Sequence, residues 1–116
     1  MKTNPILQEL TRELKKKSIE EKVRLWKRIA EDMEKSTRRR RVVNLSRINR
    51  YSKENDTVVV PGKVLGSGVL DHKLKIAAYS FSSSAREKMG KVGAEALTIK
   101  ELMQKNSKGK NVRLIG

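Results

Sequence analysis

With 116 residues, no cysteine and 3% aromatic side chains, the chain has room for one domain on a small aliphatic core, and disulfides and thiolate metal sites are excluded. Its 28 Lys and Arg against 13 Asp and Glu give a formal charge of +15, an excess that repels itself unless a polyanion neutralises it. No apolar run is long enough for a signal peptide or a membrane span, which predicts a soluble protein that stays in the cell.

The first predicted element is a helix. Asn4 suits its N-cap, Pro5 its first position, and Ile6, Leu7, Leu10 and Leu14 recur at helical spacing. Lys15, Lys16 and Lys17 are then expected in its last turn. Ser18 with Glu21 forms a capping-box pattern that opens a second helix to about Ser36, with Ile19, Val23, Trp26, Ala30 and Met33 as one apolar stripe. Trp26 on that stripe reads as core rather than as a base-stacking platform. The two helices predict a hairpin over 1–36.

A basic connector over 37–45 follows, carrying Arg38, Arg39, Arg40 and Arg41. Adjacent like charges disfavour a regular element, so an extended stretch that settles on its partner is expected. Val43 to Leu45 re-enters the fold, and Ser46 is the expected cap of a short helix with Arg47, Ile48, Arg50 and Tyr51. From here the remaining core is expected to span 46–116. Thr57 to Val60 is β-branched and apolar, the mark of a buried strand, with Pro61-Gly62 expected to stop it. A glycine-rich loop from Gly62 to Gly68 leads to a second buried strand, Lys73 to Phe81. Ser82 or Ser83 caps a helix to about Val92, closed by Gly93. Ala94 to Leu97 is extended, Thr98 and Glu101 make another capping box before a helix to about Lys105, and Val112 to Ile115 forms a last strand.

Strands alternating with short helices predict an α/β fold with partly parallel pairing. A faint echo supports a winding arrangement: Ile48 to Tyr51 leads to the strand from Val58 much as Ile99 to Leu102 leads to the strand from Val112.

Little in the chain suggests catalysis. His72 is the only histidine, which rules out a multi-histidine metal site. Asp71 lies beside it, but neighbours on an extended strand point to opposite faces, so the pair is expected to be poorly placed for acid–base work. His72 reads as a polar or phosphate-contacting group at a strand entrance. Gly62, Gly66 and Gly68 follow a G-x-x-x-G-x-G spacing, which is neither the dinucleotide fingerprint nor the P-loop. The loop is as compatible with a structural turn as with a phosphate cradle. In so basic a chain the preferred reading is that its amides and Lys63 hold a nucleic-acid phosphate.

The excess charge is uneven. Residues 1–53 hold 17 basic and 7 acidic side chains, or +10, and residues 54–116 hold 11 and 6, or +5. From Lys35 to Lys53 there are eight basic residues and no acid. Such clustering points to a polyanion, and basic connectors rather than a base-reading helix favour folded RNA over DNA. Two functions follow: a scaffold within a ribonucleoprotein, or a free-standing regulatory protein that binds nucleic acid. A core this small should be marginal alone and gain stability from its partner.

The stretches Asn44-Leu45-Ser46-Arg47-Ile48-Asn49-Arg50-Tyr51, Val60-Pro61-Gly62-Lys63-Val64-Leu65-Gly66-Ser67-Gly68 and Leu70-Asp71-His72-Lys73 resemble the archaeal and eukaryotic large-subunit ribosomal protein family eighteen-e, a relative of bacterial large-subunit protein fifteen. The resemblance covers nearly the whole chain, and its compact length is similar to archaeal members. It implies a winding α/β fold of irregular β-β-α turns, a structural role on large-subunit rRNA in the cytoplasm, neighbouring ribosomal proteins as partners, no cofactor and no catalysis. It also implies rRNA contacts at Arg38, Arg39, Arg40, Arg41, Arg47 and Arg50, and a second surface of Gly62, Lys63, Ser67, Gly68, His72 and Lys73. Lys53 joins this set as the end of the acid-free stretch.

Overall fold

The computed structural model describes residues 5–35 and 41–116. Its elements are α1 (Pro5–Glu21), α2 (Arg24–Glu34), β1 (Arg41–Asn44), α3 (Leu45–Tyr51), β2 (Thr57–Leu65), β3 (Lys75–Phe81), α4 (Ser83–Val92), β4 (Glu95–Thr98), α5 (Ile99–Lys105) and β5 (Val112–Leu114). All strands run parallel. β3 lies along one edge of β2, and the other edge is shared between β1 and β5. β4 adds to the far side of β3.

A parallel sheet is covered on both faces, and the strands show it. Val58, Val60, Ile76 and Ala78 pack with Leu45 and Ile48 of α3 and Ala85 and Met89 of α4. The alternate residues Val59 and Ala77 face the other way, against Leu14 of α1, Trp26, Ile29 and Met33 of α2, and Leu102 of α5. Trp26 is fully buried, as its place on the stripe predicted, and its indole N–H donates to the Ser107 carbonyl at 2.6 Å.

Several boundaries differ from expectation. The first helix does not end at Lys17 but continues to Glu21, because nothing in Lys15–Ser18 stops it. Ser18 is therefore inside α1 and caps no second helix. Its hydroxyl donates to the Val23 carbonyl at 2.6 Å, and the Val23 N–H donates back to the Ser18 carbonyl at 3.0 Å. Lys22, at φ 57°, makes the sharp turn between the helices. Ile19 is consequently exposed rather than on the buried stripe. The expected N-cap Asn4 lies outside the described residues.

Pro61-Gly62 does not stop β2. Val60 pairs with Ala78 and Lys63 with Ser80, so Pro61 and Gly62 together oppose Tyr79 in a bulge. A bulge leaves its extra residue out of the ladder, and a proline without an N–H is tolerated there. The strand bends and continues, now pairing with β1. The downstream expectations hold more closely. Ser82 accepts from the Ala85 N–H and caps α4, Gly93 closes it at φ 75°, and the Thr98–Glu101 capping box is complete.

Candidate nucleic-acid interface

Leu45 and Ile48 are buried beneath α3, which turns Arg47, Arg50 and Tyr51 outward. The helix lies along the segment from Gly66 to Leu74 and is fastened to it in three places. The Ser46 N–H donates to the Ser67 carbonyl at 3.1 Å, the Asp71 N–H donates to Asn49 Oδ1 at 3.1 Å, and Ser52 Oγ meets His72 Nε2 at 2.9 Å. Ser46 is thus not the helix cap. Asn44 occupies that position, without a side-chain capping bond.

The glycines of this loop have structural reasons to be glycine. A Cβ on Gly66 would come within 2.7 Å of the Ala85 nitrogen in the first turn of α4. Gly68 adopts φ 91°, in the left-handed region, and a Cβ there would lie 3.0 Å from Ser46 Cα. Lys88 donates to the Gly68 carbonyl at 2.9 Å, tying α4 to the same turn. The loop is wedged between α3 and α4, and close approach alone accounts for both residues.

Asp71 and His72 sit in a bend rather than on a strand, so the geometric objection to their pairing does not apply. Asp71 Oδ1 lies 2.9 Å from His72 Nδ1. The bond from His72 foremost, aided by the Asn49 side chain, holds the Asp71 carboxyl below its ordinary 3.8 despite some desolvation. The series Asp71–His72–Ser52 has the connectivity of a hydrolytic triad. However, Ser52 has one hydroxyl proton and donates it to the Ile48 carbonyl at 2.5 Å. It cannot also donate that proton to the imidazole, as a nucleophile activated by a general base must. The arrangement is a pin between α3 and the strand entrance, with the His72 side chain 14% exposed.

Some of the lysines are held in ion pairs. Lys15, Lys16, Lys35, Lys91, Lys100 and Lys105 all pair with carboxylates. Among the described residues, no Asp or Glu side chain lies within ion-pair distance of Arg47, Arg50, Arg86 or Arg113. Arg47 stands 5.2 Å over the Tyr51 ring and donates to the Gly116 carbonyl at 3.2 Å. Arg113, on β5, donates to the Tyr51 carbonyl at 3.0 Å. Arg86 stands 5.2 Å over Phe81.

The other expected site residues are more scattered. Arg38, Arg39 and Arg40 lie outside the described residues. The Arg41 backbone pairs with Gly62 and Val42 pairs with exposed Lys63, so the β1–β2 ladder joins the two expected surfaces at one point. Gly62 itself is buried in β2 rather than exposed in a loop. Lys53 is exposed, and its N–H donates to Asp56 Oδ2 at 2.7 Å. Ser67, Gly68 and Lys73 are exposed, with the Lys73 stem leaning over Gly93. Tyr51 and Arg113 were not among the expected contacts. The spacing of Arg47 and Tyr51, four apart on a helix, was a usable signal for one of them. Nothing local indicated that β5 would bring Arg113 alongside. No metal-binding cluster exists among the described residues.

The large ribosomal subunit protein eL18 of Methanothermobacter thermautotrophicus is 49% identical over 114 residues, covering 98% of this chain and 94% of that protein. The proteins of the same name from Methanoregula boonei and Methanosphaerula palustris are each 46% identical over the same length, with the same coverage. Together with a family model that matches residues 3–116, these relatives show that the chain belongs to the family of ribosomal protein 60S L18 and 50S L18e and stands with its archaeal members.

Proposed function

We propose that this chain is a structural constituent of the large ribosomal subunit in the cytoplasm, which binds folded large-subunit rRNA and holds its segments in register. The family is one of ribosomal structural proteins and not of enzymes. The observation that carries the RNA reading is local: Arg47, Arg50 and Arg113 stand around α3 with no Asp or Glu side chain within ion-pair distance, whereas six lysines elsewhere pair with carboxylates. Guanidinium groups suit phosphate because they donate in a flat fork, and each neutralised phosphate releases counterions. In this reading Arg38, Arg39, Arg40 and Arg41 also contact the rRNA. Lys53, Lys63, Ser67, Gly68, His72 and Lys73 border the face around α3, and Gly62 serves the bulge that presents Lys63. Neighbouring ribosomal proteins cover other parts of the surface.

Sedimentation tests the role. The protein should travel with large subunits through washes at moderate salt. Recovery in the free fraction, with subunits stripped of it, would favour the regulatory alternative.

A further inference from the structure

We propose that Tyr51, framed by Arg47 and Arg113, is a platform on which one unpaired RNA base stacks. The proposal rests on the RNA-binding reading above and adds to it a ligand class and a site.

The chain has few aromatic residues, and most of their surface is withdrawn from water. Trp26 is in the core, and Tyr79 and Phe81 are half-buried against the sheet. Tyr51 differs. It is the last residue of α3 and remains 46% exposed, although Leu45 and Ile48 anchor the same helix beneath it. Its position is also fixed from several sides. Arg113 holds its carbonyl, Ser52 ties the following residue to both Ile48 and His72, and Arg47 lies over the ring. A mobile surface tyrosine needs none of these restraints.

Beside the ring is a cleft of about 350 Å³ lined by Arg47, Tyr51, Arg113, Leu114, Ile115 and Gly116. It combines an aromatic plane, apolar lining from Leu114 and Ile115, and two guanidinium groups with no Asp or Glu side chain within ion-pair distance. A phosphate alone would need only the arginines. A duplex keeps its bases stacked on one another and offers no free face to an aromatic ring. An unpaired base offers a flat apolar face for Tyr51, and its flanking phosphates meet Arg47 and Arg113.

The test measures equilibrium binding of the full chain to transcribed large-subunit rRNA and to a fully paired RNA duplex, over a range of salt. Tyr51→Leu keeps an apolar side chain and removes the aromatic plane, and Tyr51→Phe restores the plane. Unfolding midpoints confirm that both variants fold. Tyr51→Leu should weaken binding to the rRNA roughly tenfold with an unchanged salt slope, the size expected for one lost base stack. Tyr51→Phe should bind within about twofold of the native chain, and neither variant should change binding to the duplex. Equal affinity of Tyr51→Leu and the native chain for the rRNA, or an equal loss on the duplex, overturns the proposal and leaves RNA binding standing. A native chain that binds neither RNA overturns both.

Discussion

His72 shows how one side chain can be misjudged from sequence and corrected by its neighbours. Its adjacency to Asp71 suggested a poor pair, yet the bend at 71–72 brings the two side chains together, and Ser52 takes the other ring nitrogen. His72→Ala removes both bonds from a largely buried site and should cost about 1–2 kcal/mol in chemical denaturation, without loss of fold. An unchanged midpoint would show that the pin carries no stability. The Asp71 carboxyl titrates lower in the folded chain than in the unfolded one. Its contribution is therefore present above pH 3.8 and is lost as the pH falls through the folded value. Asp71→Asn should flatten the part of the acid-unfolding curve below about pH 4. An identical acid limb in the variant would contradict that assignment. The loop glycines were legible as special positions, but the reason lay in α3 and α4, which no local spacing could reveal.

Elements set by local chemistry were the most readable. A serine or threonine that accepts the N–H three residues on, or a glycine in the left-handed region, acts within one turn, so α4 and α5 emerged with correct ends. The junction of α1 and α2 did not, because a capping-box pattern cannot form where the preceding helix has no reason to stop. Pro61-Gly62 is a stop in isolation and a bulge beside β3, and only the ladder partner decides between them. The parallel pairing of β2 with β3 was only partly anticipated, since their connection contains no helix. At this scale the wedge between α3 and α4 is directly testable. Gly66→Ala should force the loop away from α4 and destabilise the fold by about 1–3 kcal/mol, read from the unfolding midpoint. A neutral effect would mean the loop has room to move.

At the scale of the whole molecule, composition indicated a polyanion partner, and the family stretches indicated which kind. What composition could not show is which cations are met by carboxylates: six lysines are, and the arginines around α3 have no Asp or Glu side chain within ion-pair distance. Arg113 could not be read from local sequence, because its contact with Tyr51 spans 62 positions and exists only because β5 pairs with β2.

The claim that this arginine face, rather than the overall charge, engages RNA is tested most directly by the salt dependence of binding to large-subunit rRNA. Replacing Arg47, Arg50 and Arg113 with Ala should lower the log–log slope by about two units, given about 0.7–0.9 per phosphate contact. Replacing Lys16, Lys91 and Lys105, which pair with Glu20, Glu87 and Glu95, removes the same formal charge and should leave the slope almost unchanged. Equal falls in the two variants would contradict the account.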